Sequence, residues 1–279
     1  MNNLELQKIA NEVRKGIIIS THAAKAGHPG GSMSAADIFT YLYFEEMQNI
    51  DPANPQNPDR DRFVLSKGHT APGLYATLAL KGFFPFEDLV TLRKLNSYLQ
   101  GHPDMKSTPG VDMSTGSLGQ GISAAVGMAL AARIDQKDYR VYTLLGDGEI
   151  EEGQVWEAAM YAGHKKLDNL VAIIDNNGLQ IDGKIEDVCS PYPIDKKFEA
   201  FNWHVINADA HDFDSLRAAF AEAKTVKGMP TAIVCKSIKG KGVSFMENQA
   251  SWHGVAPNDE QKDTAMAELE KAGEELCQK

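Results

Sequence analysis

Residues 141–182 constrain the fold more than any other stretch. Val141 to Leu145 is a short apolar run that stops at Gly146, the pattern of a buried strand ended by a turn. Glu151 to Lys165 has helical composition, with Val155, Ala158, Ala159 and Ala162 on one side. Leu170 to Ile174 is a second apolar run, ended by Asp175-Asn176-Asn177-Gly178. Strand, helix and strand in so short a span form a βαβ crossover, whose strands become parallel neighbours. Asp147 follows the first strand and Asn177 the second. Adjacent strand tips lie about 5 Å apart. A carboxylate and an amide oxygen then face the crevice beyond the carboxyl ends, where open α/β sheets bind ligands. Gly146 and Gly148 permit a sharp turn and close approach of the backbone. The helix that follows aims its first N–H groups at the same place, which suits a phosphate. Glu149, Glu151 and Glu152 crowd the turn, so an anionic ligand there needs a cation. Oxygen-only ligands select a hard one, Mg²⁺ or Ca²⁺.

Short apolar runs at 63–65, 203–206 and 231–235 alternate with helical patterns over the rest of the chain. The expected fold class is therefore α/β: a doubly wound, mostly parallel sheet with helices on both faces, and one domain over residues 1–279. Leu6, Ile9, Val13 and Ile17 mark an amphipathic N-terminal helix. Further helices are expected at about 71–80, 86–95, 121–134, 213–225 and 259–278. Gly27 to Ser32, with Pro29, reads as a loop before a helix capped by Ser34. A two-residue turn is expected at Asp182-Gly183. Residues 100–121 form a long irregular segment of the kind that is functional when its flanks are ordered. The net charge of −10, from 28 basic and 38 acidic residues, argues against nucleic acid or an anionic membrane as main partner. No apolar run reaches the ~20 residues that span a bilayer. Cys189, Cys235 and Cys277 are odd in number and far apart, which points to a reducing, cytoplasmic setting without metal or disulfide motif.

Four of the eight histidines lie in loops with glycine neighbours: His28, His69, His102 and His253. Imidazole moves protons near neutral pH, so their gathering around one crevice would be chemically useful. His22, His164, His204 and His211 lie in helices, a strand and a plain loop and read as structural. Lys239 and Lys241 stand in Gly-Lys-Gly, which is not a P-loop, and read as solvated charges.

A plain Asp-Gly turn and a plain Asn-Gly turn account for either tip motif alone; one crossover apart they are more specific. Gly146-Asp147-Gly148 followed by Asn176-Asn177 resembles the signature of the thiamine diphosphate enzymes. Gly27-His28-Pro29-Gly30-Gly31, Arg62 to His69, Gly101-His102-Pro103 and Thr115 to Gly121 sharpen this into a resemblance to the N-terminal half of transketolase, over nearly the whole chain. The resemblance implies metal ligation by Asp147, Asn177 and the carbonyl of Leu179. It implies cofactor contacts from His69, Gly116, Leu118, Gly146, Gly148, Asn177 and His253. His28, His102 and His253 would face the reacting ketose, and Glu152 and Glu157 would join a carboxylate network across a subunit contact. The implied activity is transfer of a two-carbon unit from a ketose phosphate to an aldose phosphate, with thiamine diphosphate and Mg²⁺ or Ca²⁺.

Transketolases of this family usually run to more than twice this length. The glutamate that activates the coenzyme and the arginines that grip the sugar phosphate belong to the missing part. The chain accordingly resembles the N-terminal subunit of a split transketolase. A C-terminal subunit carrying the pyrimidine-binding and C-terminal domains would be its partner, in a dimer or heterotetramer. Three rival readings stand at this point. One is a 1-deoxyxylulose-5-phosphate synthase-like enzyme, another a non-catalytic thiamine diphosphate module that regulates a partner. The third is an unrelated Mg²⁺–nucleotide domain.

Overall fold

In the computed structural model, which describes residues 1–278, seven strands form: Arg62–Leu65 (β1), Val141–Gly146 (β2), Leu170–Asn176 (β3), Leu179–Gln180 (β4), Gly183–Lys184 (β5), His204–Asp209 (β6) and Thr231–Lys236 (β7). Five of them make one parallel sheet in the order β1-β2-β3-β7-β6, and β4 and β5 pair as a small antiparallel hairpin. The helices are Asn3–Ala24 (α1), Pro29–Ser34 (α2), Ala36–Tyr41 (α3), Ala71–Lys81 (α4), Gly121–Ile134 (α5), Gly153–His164 (α6), Ile185–Val188 (α7), Ile194–Ala200 (α8), Phe213–Thr225 (α9) and Asp259–Cys277 (α10).

Successive strand side chains go to opposite faces of the sheet, and each face has its own core. Tyr142 and Leu144 of β2, with Val171 and Ile173 of β3, pack with Ile17, Phe39, Leu74 and Phe220 from α1, α3, α4 and α9. Val141, Leu145, Ala172 and Ile174 pack on the other side with Ile122, Val155 and Phe198 from α5, α6 and α8. This is the doubly wound arrangement expected from the sequence. The small residues of α5 let it approach β1 closely: a Cβ added at Gly121 would fall 2.6 Å from Ser66 Cα. Among the described residues no helix is long and apolar enough to cross a membrane.

Four local expectations need correction. Residues 29–34 form a helix rather than a loop, because Pro29 occupies the first turn, where its missing N–H costs nothing. Ser34 ends that helix and does not cap the next; its hydroxyl donates to Asp175 Oδ2 at 2.6 Å. The helix expected at 86–95 is only a 3₁₀ stretch, Phe86–Thr91. The chain then turns through positive φ at Arg93 and Asn96, and the Arg93 N–H bonds back to Leu99 O at 2.9 Å. The hairpin turn falls one residue early, on Ile181 and Asp182, with Gly183 already paired to Gln180.

Candidate active site

The carboxyl ends of β1, β2, β3 and β7 open together on one edge of the sheet, and the chemistry-bearing residues follow those ends. Gly146 pairs in register with Asp175, so the residues that follow each strand sit side by side. Asp147 is buried; its Oδ1 accepts the Gly148 N–H at 2.9 Å and its Oδ2 the Gly178 N–H at 2.6 Å. Burial, with the Asp175 carboxylate nearby, pushes the Asp147 carboxyl up to about 6. Asn177 accepts the Leu179 N–H on Oδ1 at 3.1 Å and donates from Nδ2 to Asp175 Oδ2 at 3.3 Å. Asp147, Asn177 and Leu179 line one cavity of about 100 Å³ together with Gly31, Lys67, His69, Leu118, Gly146, Gly148, Lys239 and His253.

His28, His69 and His253 form a compact trio, with ring centroids 5.1, 5.3 and 5.2 Å apart. Burial is the main cause that holds all three imidazoles below their ordinary range. His28 is lowered to about 4, helped by the charges of Arg93, His102 and Lys239, and His253 to about 3, helped by Lys239. His69, the most enclosed, lies well below 6.5, with Lys67 adding to the effect of burial. His102 is lowered by burial and by Arg93. At neutral pH the trio is uncharged, each ring offering one N–H and one lone pair. His28 Nδ1 is buried with no hydrogen-bond partner among the described residues, an unmet polar atom of the kind a ligand satisfies.

Two lysines complete the cavity, and sequence reasoning missed both roles. Lys239 is 2 % exposed, not solvated; its Nζ lies 3.0 Å from His253 Nδ1 and donates to Leu179 O at 3.2 Å. Burial lowers it to about 8. Lys67 is 1 % exposed and pairs with Asp175 and with Gly31 O. Lys241 is indeed at the surface, paired with Glu247 at 3.3 Å. Glu149 serves the fold rather than a ligand: it is buried and accepts from Ser66 Oγ and from the Gly119 and Gly146 N–H groups. His211 is structural as expected, held between Asp37 at 2.7 Å and the Ile238 N–H at 2.9 Å.

The remaining candidates lie around the rim. Gly116, at φ +150°, packs against His102; an added Cβ would sit 3.1 Å from that ring. Leu118 is exposed at the cavity mouth. Glu152 and Glu157 are exposed at the start of and on α6, and neither lines the cavity.

The donor set tests the fit of a metal and a diphosphate. Among the described residues no group of three His, Cys, Asp or Glu converges to hold a metal. One carboxylate, one amide oxygen and one carbonyl leave a hard dication undercharged, so it needs an anionic ligand beside it. Lys239 already places an ammonium on the Leu179 carbonyl, where a bound cation would stand. The buried Lys239 supplies the positive side that a diphosphate requires. The residues fit an ion–diphosphate pair.

A family profile described as "Transketolase, thiamine diphosphate binding domain" matches residues 6–272. The chain belongs to the transketolase family. A 6-deoxy-6-sulfo-D-fructose transketolase subunit from a Clostridium species (strain MSTE9) is 48% identical over 270 residues, covering 97% of this chain and 98% of the relative. An apulose-4-phosphate transketolase subunit from Phocaeicola vulgatus is 42% identical, covering 99% and 97%. Mouse transketolase is 47% identical over 253 residues, but these cover only 39% of its length. The crystal structure of Campylobacter jejuni transketolase superposes with a TM-score of 0.90 at 34% identity, covering 97% of this chain and 43% of that one. The chain thus spans about two-fifths of the transketolases made as a single polypeptide, and nearly all of those described as subunits.

Proposed function

We propose that this chain forms one thiamine diphosphate-binding domain and acts as the diphosphate-side, N-terminal subunit of a two-subunit transketolase. The observation that carries the reading is the meeting of Asp147, Asn177, Lys239 and the histidine trio at one sheet edge, in a chain matched end to end by transketolase subunits. Asp147, Asn177 and the Leu179 carbonyl would hold Mg²⁺ or Ca²⁺. His69, His253 and Lys239 would hold the diphosphate, with the Gly146–Gly148 turn lying against it. Gly116 and Leu118 would border the rings of the coenzyme. When bound, thiamine diphosphate supplies the electron sink needed to break and remake a carbon–carbon bond beside a carbonyl.

The chain's own residues then handle protons and position. His28, His102 and His253 are neutral at working pH, so each can donate to or accept from the oxygens on C1 and C2 of a ketose. Lys239 would leave the Leu179 carbonyl to the ion and turn to the diphosphate. Glu152 and Glu157, exposed here, would lie at the contact with the partner in a dimer or heterotetramer. The C-terminal subunit would bring the coenzyme's activating acid and the groups that grip a sugar phosphate. The named relatives act on 6-deoxy-6-sulfofructose and apulose 4-phosphate, so ketoses ending in a sulfonate or phosphate, including those of the pentose phosphate pathway, are the substrates to try. The free thiols of Cys189, Cys235 and Cys277 suit a cytoplasmic setting.

Calorimetry with thiamine diphosphate against ATP, each with Mg²⁺, tests the site: selective ATP binding rejects it. In the reconstituted pair, His28→Ala and His102→Ala should each lower two-carbon transfer by about 10²-fold or more. Unchanged turnover would instead favour a non-catalytic module, and pyruvate decarboxylation in place of ketose exchange would favour the deoxyxylulose phosphate synthase reading.

A further inference from the structure

Asp175 is fully buried, does not line the cavity, and has no part in the chemistry above, yet it collects more donors than any neighbouring side chain. Its Oδ2 accepts from Lys67 Nζ, from Ser34 Oγ at 2.6 Å and from Asn177 Nδ2 at 3.3 Å. Its Oδ1 accepts from Ser237 Oγ. These donors come from four segments: the end of α2 and the tips of β1, β3 and β7. We propose that Asp175 is the positioning residue of the ion site, cancelling the charge of Lys67 at the cavity wall and fixing which prong of the Asn177 amide is offered to the ion. This inference rests on the reading that Asp147 and Asn177 hold a divalent cation.

The charge argument is direct. Lys67 is 1 % exposed and lines the same cavity as Asp147, Asn177 and Leu179. An ammonium there with no counter-charge repels a dication, and the repulsion is strong because water is excluded. Asp175, which is not among the lining residues, pairs with that ammonium, so the wall carries a neutral pair instead of a cation. The pair is stable in its buried place because the other lone pairs of Asp175 are occupied by hydroxyl and amide donors. The orientation argument follows from amide geometry. The two prongs of Asn177 point in different directions; the nitrogen is taken by Asp175, so the oxygen is left on the Leu179 side, where it accepts one N–H and keeps a lone pair. Groups that orient a metal's ligands in this way typically change affinity by about 10–100-fold when removed.

A mere packing role and this role differ in sign. In Asp175→Asn an oxygen still accepts from Asn177, but Lys67 loses its counter-charge. The cavity then becomes worse for a dication and better for an anion. The test uses the full chain reconstituted with its partner, and follows thiamine diphosphate binding by calorimetry across a Mg²⁺ titration, with inorganic pyrophosphate in EDTA as a second probe. In Asp175→Asn the Mg²⁺ midpoint should rise at least about tenfold, while metal-free pyrophosphate binds as tightly as in wild type or tighter. Lys67→Met in the same background should bring the Mg²⁺ midpoint back towards wild type. Ser237→Ala, which removes a different donor from the same carboxylate, should lower the melting temperature and leave the midpoint unmoved. An unchanged midpoint in Asp175→Asn overturns the proposal. So does parallel weakening of Mg²⁺ and pyrophosphate, failure of Lys67→Met to restore, or an equal shift in Ser237→Ala. If wild type binds thiamine diphosphate without regard to divalent ions, the metal reading itself fails; if wild type needs the ion and Asp175→Asn behaves like wild type, the metal reading stands and the role of Asp175 falls.

Discussion

At the scale of single residues, the cavity keeps its imidazoles neutral and the Asp147 carboxyl hard to ionise, and both states leave a trace in stability. The pKa of His28 falls from 6.5 to about 4 on folding and that of His253 to about 3. Unfolded chains bind those protons more tightly, so the stability these groups contribute is present above pH 6.5 and is lost as pH falls towards 4 and 3. Wild type should therefore lose melting temperature between about pH 7.5 and about pH 5 more steeply than a His28→Asn, His253→Asn variant; equal slopes in a thermal scan would contradict this. Asp147 runs the other way. Its carboxyl is raised from 3.8 to about 6, so its favourable contribution is full below pH 3.8 and gone once pH passes about 6. At neutral pH the ionised, metal-free site is a cost to the fold, which a bound dication would offset. Asp147→Asn should accordingly lose Mg²⁺-dependent thiamine diphosphate binding and remain at least as heat-stable as wild type in EDTA at pH 7.5, as calorimetry and thermal melts would read.

At the scale of elements, the site depends on how closely the loops cross the strand tips. Gly68, just past β1, faces the 115–118 segment: an added Cβ would lie 2.8 Å from both Gly116 N and Thr115 Oγ1. Thr115 Oγ1 in turn donates to Leu65 O at 2.7 Å. Gly68→Ala must push this segment off the sheet, at a cost of about 1–3 kcal/mol, and Leu118 and His102 move with it. A lower denaturant midpoint together with weaker thiamine diphosphate binding is expected; loss of neither would show the crossing to be slack. The same crowding explains what could be read from the sequence. Buried parallel strands are continuous apolar runs, so β2 and β3 and the tip residues Asp147 and Asn177 were legible to within a residue or two. Helix α2 was not, since Pro29 and two glycines look like a loop. The glycines are there for space: a Cβ at Gly30 would meet Trp252 O at 2.7 Å, and one at Gly31 would meet Thr70 Cγ2 at 3.0 Å. Lys239 was missed for a related reason. A lone lysine in a glycine-rich stretch has no periodicity to betray burial, and only the fold of 237–253 over β4 brings it to His253 and Leu179. Asp175 read simply as part of a turn because its partners, Ser34, Lys67 and Ser237, are far apart in the sequence.

At the scale of the whole molecule, the proposed two-subunit reading makes the cavity one part of a shared site. The cavity is small, about 100 Å³, and it holds groups suited to an ion and a diphosphate. Beyond Leu118 the rim is surface, and Leu118, Met160, Tyr161, Ile181 and Val188 are exposed there and on α6, the hairpin and α7. Apolar side chains of that size on the surface, beside the exposed Glu152 and Glu157, suit a partner that closes the site and buries them. Single-polypeptide transketolases devote about three-fifths of their length to parts this chain does not contain. Purified alone, the chain should bind thiamine diphosphate weakly or not at all and transfer two-carbon units at no more than background rate. Addition of the C-terminal subunit should raise both together, with activity saturating at a fixed ratio of the two chains, because on this reading the second chain would supply the wall as well as the acid. The measurement is a coupled assay of ketose-to-aldose transfer across a titration of one chain against the other, with coenzyme affinity followed in parallel. If coenzyme binding were already tight in the isolated chain and activity alone rose on mixing, the partner would contribute chemistry but not the closing wall. Robust turnover by this chain on its own would mean that the activating acid lies within these 279 residues, and the two-subunit reading would be wrong.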